Sequence, residues 1–224
     1  MAEVKQVLVL GIGNVLWADE GFGVRVVERL RQQYRWPDNV TVMDGGTQGL
    51  NLLQYVQAAD VLVVLDAIDY GLAPGTLKSV RDADVPSYLG AKKMSLHQTG
   101  FQEVLLTAEM LNDAPQHILL VGVQPEELED YGGSLRPIVK AQIDPAIEQV
   151  LAYLKSLAIE PHALTDAGER QALDLERYEL ERPSSDLALR KGDPRVVLNE
   201  AYEIAPMPSL DEAVQVDVDH RGKY

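Results

Sequence analysis

The 224-residue sequence contains no cysteine, which excludes disulfides, thiolate metal ligands and a cysteine nucleophile. Basic residues are also scarce: 20 lysines and arginines stand against 35 aspartates and glutamates, and the formal net charge is −15. An acidic surface of this kind disfavours nucleic acid and anionic membranes as partners. No apolar run approaches the roughly 18 residues of a membrane-spanning helix, and no signal-peptide pattern is present. We therefore expect a cytoplasmic protein without membrane insertion.

Apolar runs typical of strands alternate with segments of helical spacing over the first 160 residues. This alternation predicts an α/β fold, a three-layer sandwich in which a twisted, mostly parallel sheet lies between helices on both faces. The run 61–65 is apolar at every position, as a central parallel strand requires. The predicted strands are 6–10, 40–43, 60–65, 117–123 and, at an edge, 76–80; the predicted helices are 21–34, 49–56, 99–111 and 144–157.

Residues 161–224 differ in character from the first 160. They are acidic, contain several prolines and show no sustained periodicity. The sequence therefore predicts an α/β domain over residues 1–160 and a C-terminal extension over residues 161–224, partly disordered or draped over the domain.

A glycine-flanked loop over residues 11–23 separates the first predicted strand from the first helix and carries Asp19 and Glu20. Its Gly-x-Gly start suggests nucleotide binding. However, Leu16 stands where the dinucleotide fingerprint requires a small residue, and the sequence contains no P-loop. The alternative interpretation is structural, because glycines of this kind also form tight turns.

Three polar residues share one topological position in the predicted sheet. Glu20 follows the first strand, Asp66 ends the central strand, and His97 precedes the predicted helix 99–111. In open α/β sheets, ligands bind at the carboxyl ends of neighbouring strands. Two carboxylates and one imidazole are a plausible set for a divalent first-row metal with open coordination positions. Asp44, at the end of the second strand, adds a further acid at the same edge.

Each of these residues also has a purely structural interpretation. Asp66 and Asp44 could each stabilise a turn, Glu20 could be an acid favoured by the first turn of a helix, and His97 could lie near a helix N-cap. Asp44 and Asp66 could alternatively form an aspartic-protease dyad if their strands were adjacent. The spacing alone leaves these alternatives open.

The sequence resembles the hydrogenase maturation endopeptidases, which process the large subunit of [NiFe] hydrogenases. The similarity covers residues 4–158 and extends to the branch that serves membrane-bound uptake hydrogenases. It is carried by five motifs in order: Gly11-x-Gly13-Asn14-x-Leu16-x-x-Asp19-Glu20-Gly21-x-Gly23, Asp44-Gly45-Gly46-Thr47, Asp66-Ala67, His97-Gln98 and Leu120-Val121-Gly122-Val123-Gln124-Pro125.

The resemblance implies an endopeptidase that removes a short C-terminal peptide from the large-subunit precursor once nickel has been inserted. It places the family's metal-contacting acid, acid and histidine on Glu20, Asp66 and His97. We expect the nickel to arrive with the precursor rather than to reside in the protease. Asp66 is the expected catalytic residue, and Asp44 is the candidate for an auxiliary acid.

Two further hypotheses compete with the processing endopeptidase. The first is a non-catalytic chaperone that uses the same site to check metal loading of the precursor. The second is a nucleotide-binding enzyme of similar architecture, which Leu16 already disfavours. The resemblance implies no role for the C-terminal extension, which could contact the precursor or another maturation factor; its composition favours a solvated appendage.

Overall fold

The computed structural model describes residues 5–85, 96–128 and 135–164. Short 3₁₀ turns lie at Ala18–Gly21, Gly49–Leu52 and Asp82–Asp84. The described strands are β1 (Val7–Ile12), β2 (Tyr34–Arg35), β3 (Val40–Gly46), β4 (Val61–Ala67), β5 (Leu77–Arg81), β6 (His117–Val123) and β7 (His162–Ala163); the described helices are α1 (Phe22–Gln33), α2 (Leu53–Gln57), α3 (Leu96–Met110), α4 (Pro137–Lys140) and α5 (Ile143–Ser156).

Five of these strands form one sheet in the order β3-β1-β4-β6-β5. Neighbouring strands are parallel except for β5, which pairs antiparallel with β6 at the edge. The predicted mostly parallel α/β sheet is thereby confirmed, including its edge strand. The two short strands β2 and β7 form a separate antiparallel pair.

Side chains of the central strands alternate between two hydrophobic cores. Val61, Val63 and Leu65 of β4 pack in a cluster with residues of α1, α4 and α5. Leu62 and Val64 pack in a second cluster with residues of α2 and α3. Because each fully buried side chain of this size contributes about 1.5–3 kcal/mol, burial on both faces keeps β4 in the middle of the sheet. The result is the predicted three-layer sandwich.

The element boundaries differ from the predicted ones in places that affect the site. Helix α3 begins at Leu96 rather than at residue 99, so His97 lies in its first turn instead of before it. Strand β3 continues to Gly46. Helix α5 begins at Ile143 and places Pro145 inside its first turn. Among the described residues, α4 and the β2–β7 pair have no counterpart in the prediction, since elements of two to four residues carry too little periodicity.

The residues beyond the predicted domain are described only as far as residue 164. Strand β7 pairs with β2, and the amide of Leu164 donates to the carbonyl of Gln33 at 2.8 Å, so residues 162–164 are attached to the end of α1. The remainder of the predicted extension lies outside the described residues, and its boundary stays a prediction. None of the helices in the described ranges is long and apolar enough to cross a bilayer.

The strand order creates a switch point beside β1. The chain leaves β1 through α1 to reach β3 on one side, and then returns through α2 to β4 on the other side. The connections therefore diverge at the carboxyl ends of β1 and β4. In doubly wound sheets a crevice at this point is the usual ligand site.

Candidate active site

Two consecutive turns carry the chain from β1 to Glu20. The carbonyl of Asn14 accepts the amide of Trp17 at 3.0 Å, and the carbonyl of Trp17 accepts the amide of Glu20 at 2.9 Å. The Asn14 side chain also accepts the amide of Leu16 at 3.0 Å. Glu20 is only 8% exposed although it lies in the connection between a strand and a helix. A carboxylate this deep in the edge of a sheet is more typical of a site than of a solvated turn.

Two glycines allow this turn to lie directly on the strand ends. Gly13 has a φ of +137°, and a methyl group there would overlap the carbonyl oxygen of Glu20. A methyl group on Gly23 would overlap the carbonyl oxygens of both Ile12 and Leu65. The first turn of α1 therefore contacts Ile12, the last residue of β1, and Leu65, the residue before Asp66 in β4. This contact holds the Glu20 turn at the switch point.

Asp66 lies at the carboxyl end of β4 and is 1% exposed. It pairs with Gly122 of β6, and Leu65 beside it pairs with Gly11 of β1. Its Oδ1 accepts the amide of Ala67 at 2.7 Å. Because side chains alternate along a strand, Asp66 shares the face of Leu62 and Val64, the face that α3 covers.

The backbone of His97 reaches the same edge and the same face of the sheet. His97 is the second residue of α3, and Gly100 packs in the next turn against the 3₁₀ turn that follows β3, since a methyl group on Gly100 would lie 3.4 Å from the Cα of Gly49. That 3₁₀ turn follows the carboxyl end of β3, so α3 begins where the parallel strands end. The structure thus brings Glu20, Asp66 and the backbone of His97 to one edge; the imidazole itself is outside the described side chains.

Asp44 lies on β3, which β1 separates from the strand that carries Asp66. It is exposed, it pairs with Gly11 in register, and its Oδ1 accepts the amide of Gly46 at 2.8 Å in a local turn. Since β1 separates β3 from β4, about 10 Å lies between their backbones, and an aspartic dyad with Asp66 would need carboxylates about 3 Å apart. The aspartic dyad was possible only if the strands of Asp44 and Asp66 were adjacent, and they are not. The role of Asp44 as an auxiliary acid stays a prediction.

Asp19 is a buried anchor, a role that the sequence did not indicate. The side chain is fully buried. Its Oδ1 accepts the amide of Arg136 at 2.8 Å, and its Oδ2 accepts the amides of Glu126 and Glu127 at 3.1 and 3.4 Å. The guanidinium of Arg136 also lies 3.4 Å from Oδ2 of Asp19, and it lies 3.5 Å from the carboxylate of Glu126. Charge-assisted bonds of this kind compensate the buried charge of Asp19.

Gln124 is a second buried anchor on the same segment. Its Oε1 accepts the amides of Tyr70 and Leu72 at 2.8 and 3.1 Å, and its Nε2 donates to Oδ1 of Asp69 at 3.0 Å. These partners belong to the loop that follows Asp66. The Gln124-Pro125 motif was visible in the sequence, but a side chain that binds backbone amides leaves no spacing pattern from which its role could be read.

The donor set at this edge is oxygen-rich and incomplete. Among the side chains that the structure describes, no group of three or more histidines, aspartates and glutamates is arranged to hold a metal ion. Glu20 and Asp66 supply two carboxylates, and an imidazole from His97 would make a third ligand of a type that nickel accepts. A set of three protein ligands would leave coordination positions for groups that come from elsewhere.

Several known proteins are similar to this chain in sequence and in architecture. A family model described as hydrogenase maturation protease matches residues 24–153. The hydrogenase expression/formation protein HoxM of Azotobacter vinelandii is 56% identical over 200 residues, covering 88% of this chain and 97% of that protein. Among solved structures, the hydrogenase maturating endopeptidase HybD from E. coli has a TM-score of 0.68 and 43% identity over 72% of this chain and 99% of that one. The [NiFe] hydrogenase maturation protease HybD from Thermococcus kodakarensis has a TM-score of 0.54 and 26% identity over 66% and 98%.

The chain is an α/β protein with two buried acidic residues, Glu20 and Asp66, near the switch point of its sheet. With these similarities, the chain belongs to the hydrogenase maturation protease family. It is therefore a peptidase, and the resemblance inferred from its motifs is confirmed.

Proposed function

We propose that the chain is a nickel-dependent endopeptidase that removes a short C-terminal peptide from the large-subunit precursor of a [NiFe] hydrogenase. The observation that carries this proposal is the approach of Gly23 to Ile12 and Leu65, which places the Glu20 turn beside the strand end that bears Asp66. His97, in the first turn of α3, joins them from the neighbouring helix. A membrane-bound uptake hydrogenase is the proposed source of the precursor.

Nickel belongs to the substrate in this proposal. Two carboxylates and one imidazole bind a free nickel ion only weakly, because the set is incomplete and harder than the thiolates that would surround nickel in a precursor. The precursor would supply the remaining ligands. Cleavage would then act as a checkpoint, since a precursor without nickel could not seat its C-terminal segment at Glu20, Asp66 and His97.

The hydrolysis itself needs a base close to the attacking water. In the proposed step, the Asp66 carboxylate accepts a proton from water while the water oxygen bonds to the carbonyl carbon. The carbon–nitrogen bond then breaks, and the proton passes to the departing amine. The low exposure of Asp66 limits competing solvent contacts at this carboxylate. Asp44 remains the proposed auxiliary acid for the same reaction.

A cleavage assay tests the proposal directly. Large-subunit precursor with and without inserted nickel is incubated with the wild-type protein and with His97→Ala, and mass spectrometry follows loss of the C-terminal peptide. We expect cleavage of the nickel-loaded precursor only. Removing the third ligand should slow cleavage at least about 100-fold, the scale of effects for groups that act directly on the reacting atoms.

His117→Ala is the matched control, because His117 is the first residue of β6 and lies at the opposite edge of the sheet, where the parallel strands begin. This variant should cleave like the wild type. Binding of loaded precursors without any cleavage by the wild-type protein would favour the chaperone hypothesis instead. Equal cleavage by His97→Ala would remove His97 from the mechanism and leave the two carboxylates to explain it.

A further inference from the structure

Residues 124–128, which follow β6, are bonded to both halves of the candidate active site. At one end, Gln124 accepts the amides of Tyr70 and Leu72 in the loop that follows Asp66. Further along, the amides of Glu126 and Glu127 donate to Asp19, the residue covalently joined to Glu20. The proposed cleavage step does not use these contacts.

The backbone of this segment is itself fixed to the sheet. The amide of Ile68 donates to the carbonyl of Val123 at 2.9 Å. The amide of Gln124 donates to the carbonyl of Thr76 and its carbonyl accepts the amide of Gly75, both at 2.8 Å. The segment therefore begins as a rigid continuation of β6 and cannot slide independently of β4.

We propose that residues 124–128 act as a brace that sets the separation of Glu20 and Asp66, with Asp19 and Gln124 as positioning residues at its two ends. Neither side chain is assigned to the reacting atoms. Asp19 holds the Glu20 turn on the brace, and Gln124 holds the loop after Asp66 on it. The effect on cleavage rests on the proposed function, whereas the mechanical coupling between the two ends does not.

Buried polar networks of this kind rigidify a site because a partly broken network is costly. Asp19 is fully buried and Gln124 is 6% exposed, so water replaces their lost contacts poorly. Displacing one end of the brace should therefore loosen the other end as well. This remote effect distinguishes a brace from two separate stabilising contacts.

Hydrogen exchange of the full chain tests the coupling without any substrate. In Asp19→Asn, one oxygen remains to accept the amide of Arg136, but the acceptor for Glu126 and Glu127 is lost. We expect the amides of Tyr70 and Leu72, which do not touch Asp19, to exchange about tenfold faster than in the wild type, since exchange reports local opening. Unchanged exchange at these two amides would overturn the brace.

The control is Asp60→Asn, which changes a carboxylate that also accepts a backbone amide, that of Gln6 at 2.7 Å, but at the opposite edge of the sheet. It should leave the amides of Tyr70 and Leu72 at their wild-type rates. Equal acceleration in this control would mean general loosening and would also count against the brace.

Gln124→Leu is the reciprocal variant and keeps the test decisive if Asp19→Asn fails to fold. It should accelerate exchange at Glu126 and Glu127, and Gln57→Leu, which removes a side-chain bond to Asp113 at 3.2 Å elsewhere, should not. Failure of Gln124→Leu to reach the Asp19 end would overturn the proposal.

Cleavage kinetics then separate positioning from stability. At a temperature where all variants are folded, kcat per folded molecule should fall about tenfold or more in Asp19→Asn and Gln124→Leu, with a smaller change in KM. The double variant should lose little more than the worse single one, because either change releases the same brace. If the wild type does not cleave, the proposed function fails while the exchange results still stand. Coupled exchange with unchanged kcat would overturn the positioning role.

Discussion

Asp66→Asn should lower the rate of cleavage of the nickel-loaded precursor by about 10³-fold while the fold stays intact. The asparagine has the same shape, and its remaining oxygen can still accept the amide of Ala67 as Asp66 does at 2.7 Å. It cannot accept a proton from water or contribute a negative charge to a metal. Loss of a positioned acid–base group alone removes about 10²–10⁴ of rate, and loss of a ligand adds to this.

The measurement is a single-turnover assay by mass spectrometry, together with thermal unfolding of the same samples. Asp60→Asn is the control, because Asp60 directly precedes β4 and lies at the other end of the strand that carries Asp66. The control should cleave normally. Activity of Asp66→Asn above about a tenth of the wild-type rate would exclude Asp66 as the base. Loss of cleavage with precursor binding retained would support the enzyme over the chaperone.

The grouping of Glu20 with Asp66 could be predicted because it depends on a local rule. A continuous apolar run such as Val61 to Leu65 predicts a central parallel strand, and residues just after such strands share one edge of the sheet. The rule predicts the shared edge, and the structure adds that β1 and β4 are neighbours. The fold class and the edge of the sheet that carries Glu20 and Asp66 therefore follow from apolar patterning and chain direction.

The position of Asp44 relative to Asp66 could not be predicted in the same way. Both acids end strands, but which strands are neighbours depends on packing between segments far apart in sequence. Only the structure shows that β1 lies between β3 and β4. The start of α3 also differs from the prediction, because the apolar spacing from which the helix was predicted begins at residue 99, whereas the helix begins at Leu96.

Asp19 and Gln124 illustrate a different limit of sequence reasoning. Their partners are mostly backbone amides, which every residue except proline carries, so no residue type elsewhere in the chain marks the contact. The acids at 19 and 20 look equivalent in the sequence. Both are buried in the structure, and the bonds of Asp19 to the amides of Glu126 and Glu127 show its separate role.

Gly23→Ala should destabilise the protein by about 3 kcal/mol, although alanine is normally the better helix former. In an ordinary helix the substitution gains about 0.5–1 kcal/mol. Here the methyl group would overlap the carbonyl oxygens of Ile12 and Leu65, and it would lie 2.7 Å from the Leu65 carbonyl carbon. These atoms belong to the ladders of two buried strands and cannot move aside cheaply, so overpacking exceeds the propensity gain.

Gly100→Ala provides the opposite sign in the same protein. Gly100 is also helical, but a methyl group there would lie 3.4 Å from the Cα of Gly49, an ordinary contact, so stability should rise by up to about 1 kcal/mol. Urea unfolding with equal m-values would measure both changes. Equal effects of the two substitutions would contradict the close packing of α1 on β1 and β4.

The Gly23→Ala substitution should also affect cleavage. Because the overlap at Gly23 pushes α1 away from the ends of β1 and β4, the Glu20 turn should move with the helix. Cleavage by the folded fraction of Gly23→Ala should therefore fall as well, whereas Gly100→Ala should leave the contact of α1 with the ends of β1 and β4 unchanged.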